Sequence, residues 1–207
     1  MLRDFNKQAA GWDENPGRVK LANVIADAII DRLDPSPGMD VLEFGCGTGL
    51  ISLRLQPFVN SVTGVDSSER MLDVFQSKID AAGIENAQAV YLDPGLEPAI
   101  HGSYHVIVIS MTLHHVPEIS PLLSMFAKNL LLGGRLFIAD LDGDGGLFHD
   151  DNTGVFHNGF ERDRLMEEMS MAGFSNIKVQ TATTVEKPGA GGVARTFSIF
   201  LMSGDRN

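Results

Sequence analysis

The fold of this chain is decided by residues 41–49, which read Val41-Leu42-Glu43-Phe44-Gly45-Cys46-Gly47-Thr48-Gly49. An apolar run leads into an acidic residue, and glycines then follow at three alternate positions. Glycine permits positive φ angles and close approach of the backbone, so such a turn can press its amide groups against a ligand. The pattern predicts a strand, a tight turn and a helix that together hold a small molecule.

The spacing of the glycines separates two possible ligands. A nicotinamide dinucleotide turn has glycines spaced G-x-G-x-x-G, and its helix receives an anionic pyrophosphate. Here Leu50 stands where the third glycine of that pattern would fall, and Gly49 is the last glycine. Glu43 would repel a pyrophosphate but could accept hydrogen bonds from an ammonium group. The turn therefore favours a cationic ligand.

Acidic residues also follow the next two predicted strands. Residues 61–65 form a short β-rich run that ends at Asp66, and residues 86–91 form another, followed by Leu92 and Asp93. A carboxylate at the Asp66 position can accept hydrogen bonds from both ribose hydroxyls of an adenosine. The same role occurs in dinucleotide-binding folds, so Asp66 alone does not choose the cofactor.

The order of these segments resembles the class I S-adenosylmethionine-dependent methyltransferases that act on small molecules. The resemblance continues through a fourth strand at 104–110 and a Gly-Gly turn with a fifth strand at 131–140. It implies that Glu43 contacts the methionine ammonium group of S-adenosylmethionine, Asp66 the ribose and Asp93 the adenine amino group. The cofactor-binding residues that it implies are Glu43, Gly45, Cys46, Gly47, Gly49, Asp66, Ser67, Met71, Asp93 and Ser110.

Helical and β-rich runs alternate along the chain, which predicts an α/β fold with a parallel sheet and a ligand at the carboxyl ends of its strands. Residues 176–186 and 194–202 are too close in sequence for a crossover helix, so they should pair as an antiparallel hairpin. The resemblance implies a three-layer Rossmann-like sheet of seven strands, mostly parallel, in a single domain over residues 1–207. The predicted helices cover residues 18–34, 51–55, 67–82, 121–132 and 160–172.

The composition of the chain limits the kinds of partner that the protein is expected to bind. The net charge is −11, and lysine and arginine are scattered, so nucleic acid is not an expected partner. No apolar run is long enough to span a bilayer, and we expect no membrane association. Cys46 is the single cysteine, which excludes an intramolecular disulfide and is compatible with a cytoplasmic location. We interpret Cys46 as a packing residue rather than a nucleophile. The sequence does not define the oligomeric state.

Two histidines follow the fourth strand. Residues 110–116 read Ser-Met-Thr-Leu-His-His-Val, similar to a Leu-His-His stretch beside the methyl group in many small-molecule methyltransferases. Either His114 or His115 could act as a catalytic base near neutral pH, although methyl transfer from a sulfonium does not always need one. The alternative is that one of them, His115 rather than His114, only packs in the loop. The segment lacks the Asp- or Asn-Pro-Pro-aromatic motif of enzymes that methylate base amines.

Three further segments have competing interpretations. The acidic loop 140–151 mimics the start of an EF-hand but leaves a strand rather than joining two helices, so we predict a solvated loop and assign no metal ligand. The alternatives are calcium binding and a metal-assisted mechanism in which its oxygen ligands face the substrate. His157 is a candidate substrate contact, although a polar loop residue before a helix is the favoured interpretation. Residues 1–20, with Trp12 and Asp13, could form a lid over the cofactor or merely anchor the N-terminal segment.

The sequence thus predicts an S-adenosylmethionine-dependent methyltransferase with a small-molecule acceptor of unspecified chemistry. A nicotinamide-dependent oxidoreductase would share the sheet and Asp66 but should carry the missing glycine spacing and bind NAD. A non-catalytic cofactor-binding or partner protein would keep the cofactor pocket yet methylate nothing.

Overall fold

A computed structural model of the chain describes residues 4–92, 100–188 and 194–207. The helices are α1 (Pro16–Leu33), α2 (Leu50–Leu55), α3 (Glu69–Ala82), α4 (Ile119–Asn129) and α5 (Arg162–Met171). The strands are β1 (Asp40–Phe44), β2 (Ser61–Asp66), β3 (Ala87–Tyr91), β4 (Tyr104–Ser110), β5 (Leu130–Leu141), β6 (Phe174–Pro188) and β7 (Ala194–Arg206). Short 3₁₀ turns cover Phe5–Gly11, Gln56–Phe58 and Leu113–His115.

The strands form a seven-stranded sheet in the order β3-β2-β1-β4-β5-β7-β6. Strands β1 to β5 pair in parallel, whereas β7 is antiparallel to both β5 and β6. The predicted mostly parallel sheet with an antiparallel C-terminal hairpin is confirmed. The strand order runs outward in opposite directions from β1 and β4, and ligands of open α/β sheets bind at such a switch point.

Helices cover both faces of the sheet, as the three-layer prediction requires. On β4, Ile107 and Ile109 belong to a core shared with α4 and α5, whereas Val106 and Val108 belong to a core shared with α1 and α2. Successive strand residues point to opposite faces, so an unbroken apolar strand feeds two cores. Helix α3 completes the packing with Phe75, which contributes to a third apolar cluster with Cys46.

The boundaries of α1 and α3 follow local signals. The Asn15 side chain accepts hydrogen bonds from the first backbone N–H groups of α1, and Pro16 occupies its first turn. Ser68 caps α3 by accepting from the Met71 N–H, and Gly83 ends that helix in the left-handed region at φ +63°. Among the described residues, no helix has the length and apolarity needed to cross a membrane.

The predicted end of α4 is wrong. The helix stops at Asn129, and residues 130–132 already belong to β5. Leu130 pairs with Tyr104, and the register then shifts before Val106 pairs with Arg135. The two glycines, Gly133 and Gly134, lie within this register shift. Leu131 and Leu132, which precede them, therefore belong to the strand and not to the helix. Tertiary pairing here overrides the helical preference of leucine.

Gly49→Ala should destabilise the protein more than Gly83→Ala. Both glycines are left-handed, at φ +76° and +63°, so either alanine introduces about 1–2 kcal/mol of backbone strain. A Cβ at Gly49 would also lie 2.1 Å from the Phe75 ring, whereas one at Gly83 meets nothing within 4 Å. We expect an additional loss of about 1–3 kcal/mol for Gly49→Ala. Urea denaturation measures both, and equal losses would contradict the close Gly49–Phe75 contact.

Candidate functional site

The glycine turn is fixed by its neighbours and open at its centre. Gly45, Gly47 and Gly49 all have positive φ angles. The N–H groups of Gly45 and Cys46 donate to the Val65 carbonyl, at 2.8 and 3.1 Å. A Cβ at Gly45 would lie 2.3 Å from the Thr112 side chain, but one at Gly47 would enter open space. The turn can therefore admit a ligand against the backbone of Gly47.

Asp66 lies beside this opening at the end of β2. The Gly47 N–H donates to its Oδ2 at 2.8 Å, and the Ser68 N–H donates to its Oδ1 at 2.9 Å. Burial raises the pKa of the Asp66 carboxyl, while hydrogen bonds from the backbone of Ser68, Gly47 and Ser67 oppose that rise. Each carboxylate oxygen has two lone pairs and can accept a further hydrogen bond. This geometry agrees with the predicted ribose contact.

Glu43 bonds to α2 inside the protein. Its Oε2 accepts from the Ser52 N–H at 2.8 Å and from the Ser52 hydroxyl at 2.5 Å, and the residue is only 3% exposed. Burial raises the pKa of Glu43 to about 8 against the effect of these bonds, and the nearby Asp66 charge adds to the rise. Glu43 thus braces β1 against α2, and its contact with a methionine ammonium group stays a prediction.

The other predicted cofactor residues occupy different settings. Cys46 is buried, and burial raises the pKa of its thiol well above the ordinary value, with Glu43 and Asp66 adding to the rise, which argues against a nucleophile. Met71 is buried in the first turn of α3, and Ser67 is exposed just before that helix. Ser110 ends β4, and its carbonyl accepts from Thr112 Oγ1 at 2.9 Å. Asp93 lies outside the described residues.

The N-terminal segment packs across the glycine turn. Thr48 Oγ1 donates to Asp13 Oδ1 at 2.6 Å, and Asp13 also pairs with Lys78 of α3. Asn6 Oδ1 accepts from the Ser68 hydroxyl at 2.9 Å. These contacts join the segment to the glycine turn and to α3, and its role as a lid stays a prediction.

Aromatic contacts extend the segment towards the histidines. The ring centroids of Phe5 and His115 lie 5.2 Å apart, and those of Phe5 and Trp12 lie 6.1 Å apart. The Arg18 guanidinium stacks 3.9 Å from the Trp12 centroid, which anchors Trp12 to α1. These contacts agree with the anchoring interpretation of Trp12, and its role in a lid stays a prediction.

His114 and Asp140 form a buried pair at the carboxyl ends of β4 and β5. The residues are 1% and 0% exposed, and His114 Nδ1 lies 2.7 Å from Asp140 Oδ1. The His114 N–H also donates to Oδ2 at 3.3 Å, and the Leu141 N–H donates to Oδ1 at 2.7 Å. A carboxylate only accepts, so Nδ1 carries the proton and Nε2 keeps a lone pair in the neutral ring. This is the arrangement of an oriented general base.

The interpretation of Asp140 as a solvated loop residue is therefore wrong, because it lies within β5 and is fully buried. The next acidic residues also have protein partners. Asp142 forms a two-point ion pair with Arg162 at 2.6 and 2.7 Å, and Asp144 accepts from the N–H groups of Gly146 and Phe148. These carboxylates turn towards separate partners rather than towards one ion.

Other histidines surround His114. His115 Nδ1 lies 2.7 Å from the Gly154 carbonyl, which agrees with the packing interpretation of His115. His157 Nε2 lies 2.9 Å from the Val116 carbonyl, so this side chain fastens the loop. His149 Nε2 lies 3.1 Å from His114 Nε2.

Sequence reasoning missed three residues of this site. Asp140 could have been found, because it ends the strand beside β4 and so must lie near His114. His149 sits 35 residues further along the chain from His114, in an irregular loop whose path no local pattern defines. Met111 adopts φ +50°, a strained conformation for a side chain of this size, and turns the chain from β4 towards Thr112.

A shallow cleft of about 650 Å³ lies between α5 and β6 at the edge of the sheet. It contains none of the predicted cofactor or catalytic residues. The chemistry of the residues, rather than the size of this cleft, locates the candidate site at the glycine turn.

The electrostatics of the turn suit S-adenosylmethionine, which carries a positive sulfonium and an ammonium group. Glu43 and Asp66 are close enough to affect each other, and burial raises the pKa of both. A nearby positive charge favours the ionised carboxylates, whereas a pyrophosphate would oppose them. The open backbone at Gly47 and the oriented Asp66 carboxylate also fit a nucleoside.

Known proteins resemble this chain in sequence. A family model described as a methyltransferase domain matches residues 18–186. The chain is 32% identical over 157 residues to the uncharacterized methyltransferase C1347.09 of Schizosaccharomyces pombe, covering 69% of this chain and 55% of that protein. It is 30% identical over 156 residues to an O-methyltransferase of Pyrenophora dematioidea, covering 70% and 58%. The chain spans little more than half the length of these relatives.

A solved structure shares the fold. Phosphoethanolamine N-methyltransferase 2 of Haemonchus contortus, in complex with S-adenosyl-L-methionine, matches with a TM-score of 0.71. The match covers 87% of this chain and 52% of that chain at 15% sequence identity.

Asp66→Ala should weaken the binding of S-adenosylmethionine by about 1–3 kcal/mol, because the ribose would lose charge-assisted hydrogen bonds. Isothermal titration measures the affinity, and circular dichroism confirms that the variant is folded. Asp73→Ala, at an exposed position of α3, removes the same charge away from the turn and should bind normally. Unchanged affinity in folded Asp66→Ala would contradict the ribose contact.

Glu43→Gln should flatten the pH dependence of stability. The Glu43 carboxyl has its ordinary pKa of 4.5 in the unfolded chain and a pKa of about 8 in the folded protein. Between these values the folded state holds the extra proton, so the free energy of unfolding falls as pH rises, by up to about 1.4 kcal/mol per pH unit. Glutamine cannot ionise and still offers an oxygen to Ser52.

Urea denaturation across this pH window should show the wild type losing stability relative to Glu43→Gln as pH rises. Glu69→Gln, which removes an exposed carboxylate from α3, is the matched control and should follow the wild type. Parallel curves for the wild type and Glu43→Gln would mean that the buried carboxyl is not protonated in the folded protein.

Proposed function

Because this chain belongs to the class I S-adenosylmethionine-dependent methyltransferase family, we propose that it transfers a methyl group to an oxygen atom of a small-molecule acceptor. The observation that carries the proposal is the buried His114–Asp140 pair, at the same edge of the sheet as the glycine turn. Oxygen is favoured because a hydroxyl becomes a much better nucleophile when a base takes its proton. The similarity to an O-methyltransferase of Pyrenophora dematioidea supports this choice.

The glycine turn and Asp66 would hold the cofactor. When bound, S-adenosylmethionine supplies a methyl group that its sulfonium already activates for displacement. The Val65 carbonyl holds the turn, and the Gly47 N–H orients the Asp66 carboxylate, so little reorganisation is needed on binding. The roles of Ser67, Met71, Asp93 and Ser110 as further cofactor contacts are part of this proposal.

His114 would act as the base. Asp140 fixes the tautomer that puts the lone pair on Nε2, the atom that His149 Nε2 faces at 3.1 Å. The acceptor hydroxyl would take the place of His149 there and give its proton to Nε2 as its oxygen becomes nucleophilic. The same carboxylate would then stabilise the imidazolium that forms. His115 would pack beside the base rather than replace it, because the Gly154 carbonyl and Phe5 hold its ring.

The N-terminal segment would exclude water from the reaction. Phe5 packs on His115, and Asp13 bonds to Thr48 of the glycine turn, so the segment bridges the base and the cofactor turn. Water exclusion strengthens the electrostatic contacts of a closed site and prevents side reactions.

Two alternatives make different predictions. A nicotinamide-dependent oxidoreductase is disfavoured because Leu50 begins α2 where that cofactor's turn needs its last glycine. A non-catalytic protein would bind S-adenosylmethionine without turnover. Formation of methylated product and S-adenosylhomocysteine in a screen of phenolic and other hydroxylated acceptors separates catalysis from binding alone.

His114→Ala should lower kcat by about 10²- to 10⁴-fold near neutral pH, since general-base catalysis contributes about that much. The affinity for S-adenosylmethionine should change by less than about twofold, because the lost step follows binding. The defect should shrink as the pH approaches the pKa of the acceptor hydroxyl, about 10 for a phenol, because the acceptor then ionises without help.

His101→Ala, at an exposed position before β4, is the matched control and should keep full activity. Asp140→Asn should give a smaller loss than His114→Ala, because the base remains but its orientation and charge support weaken. Wild-type turnover by His114→Ala across the pH range would reduce His114 to a packing residue.

A further inference from the structure

Three histidines converge beside the proposed base. One ring nitrogen each from His114, His115 and His149 lie within 4.8 Å of one another, and the Nε2 atoms of His114 and His149 are 3.1 Å apart. Two nitrogens bound to one tetrahedral ion at about 2.0–2.1 Å from the metal lie about 3.3 Å apart. We propose that these three side chains bind a divalent transition-metal ion of the Zn²⁺ class.

The second nitrogens of two of these rings are already positioned as in metal sites. His114 Nδ1 lies 2.7 Å from the Asp140 carboxylate, and His115 Nδ1 lies 2.7 Å from the Gly154 carbonyl. Both partners are acceptors, so each Nδ1 carries the proton and the lone pair is on Nε2. Histidines that bind metals characteristically donate their other N–H to a carboxylate or a carbonyl, which fixes the ring and raises its basicity.

The loop that carries His149 is fastened on both sides. Phe148 is buried and packs edge-on against Phe197 of β7, with ring centroids 5.3 Å apart. Lys187 of β6 donates to the Phe148 carbonyl at 2.5 Å and stacks over the Phe148 ring. Because its neighbour is held in this way, His149 is presented to His114 with little freedom to move away.

The chemistry of the donors selects the ion. Three imidazole nitrogens suit Zn²⁺, Co²⁺, Ni²⁺, Cu²⁺ or Fe²⁺, whereas Ca²⁺ and Mg²⁺ require oxygen ligands. The nearby carboxylates of Asp140, Asp142 and Asp144 bond to the protein, so they do not turn the cluster into an oxygen site. Three histidines leave a fourth tetrahedral position for water or for an acceptor oxygen.

A second explanation of the cluster is stacking together with a hydrogen bond, in which His149 Nε2–H donates to His114 Nε2 at 3.1 Å. The three rings lie with centroids 4.2, 5.0 and 5.6 Å apart, and such contacts stabilise aromatic clusters without a metal. This explanation accounts for the ring separations and for one close nitrogen pair. The metal site also accounts for the third histidine and for the acceptors behind both Nδ1 atoms.

Metal binding has a consequence for catalysis that rests on the proposed function. The ion would occupy the Nε2 lone pair of His114, the same lone pair that accepts the proton of the acceptor. Metal and proton therefore compete for one atom, and the loaded protein has no base at His114. Zn²⁺ should lower kcat in the wild type.

The decisive experiment titrates the purified, metal-free full chain with Co²⁺ and records the visible absorption. Tetrahedral Co²⁺ gives intense absorption bands, and these can be observed without any methyl-transfer reaction. The wild type should show saturable bands that Zn²⁺ abolishes. His149→Ala should lose them and remain folded by circular dichroism and S-adenosylmethionine titration. His115→Ala removes a second proposed ligand independently and should also lose the bands. His101→Ala, which replaces an exposed histidine, should retain them.

The outcomes separate the two proposals. Absence of Co²⁺ bands in folded wild-type protein, or bands of equal intensity in His149→Ala, would overturn the metal site and leave stacking as the explanation. Bands that depend on His149 together with no methyl transfer to any acceptor would establish the metal site and count against the proposed function. Methyl transfer that Zn²⁺ inhibits in the wild type but not in His149→Ala would support both.

Discussion

The left-handed backbone of the glycine turn is the constraint on which the site depends. Between β1 and α2 the chain must pass beneath Thr112, beside Phe75 and within hydrogen-bond reach of the Val65 carbonyl. A side chain at Gly45 or Gly49 would collide with these neighbours, and the positive φ angles would strain it as well. The turn therefore fixes where β2, α3 and the loop after β4 can lie, and the open backbone at Gly47 follows from that fixed path.

The sequence was informative wherever structure follows local chemistry. The glycine turn, the acidic end of β2 and the helix that ends at residue 82 depend on neighbouring residues, and the sequence predicts them. It does not predict the end of α4, because the pairing of Leu130 with Tyr104 is a contact between distant segments. His149 depends on the path of a long loop, and no periodicity describes such a path. Predictability here decreases as the sequence separation of the contacting residues increases.

Acidic groups that are hard to ionise are concentrated in the part of the site that would receive the cofactor. Glu43, Cys46 and Asp66 lie close together, and burial raises the pKa of each group. Ionisation of these groups is disfavoured in the free protein, and a positively charged ligand beside them would favour it. The cluster therefore favours a positive ligand. This preference and the glycine spacing both favour a cationic ligand over a dinucleotide.

The other half of the site is built on one imidazole. Asp140 and the strand pairing of β4 with β5 hold His114, whose Nδ1 atom bonds to Asp140 and whose Nε2 atom faces His149 Nε2 at 3.1 Å. His149 approaches His114 Nε2 from the loop after β5. The Arg162–Asp142 ion pair ties the same loop to α5. In the two proposals, a hydroxyl that donates a proton to this atom and a metal ion that coordinates it would use the same lone pair of His114. The fixed position that suits His114 to act as a base also suits it to bind a metal. A proton donor at Nε2 would allow methyl transfer, whereas a metal ion at Nε2 would block it.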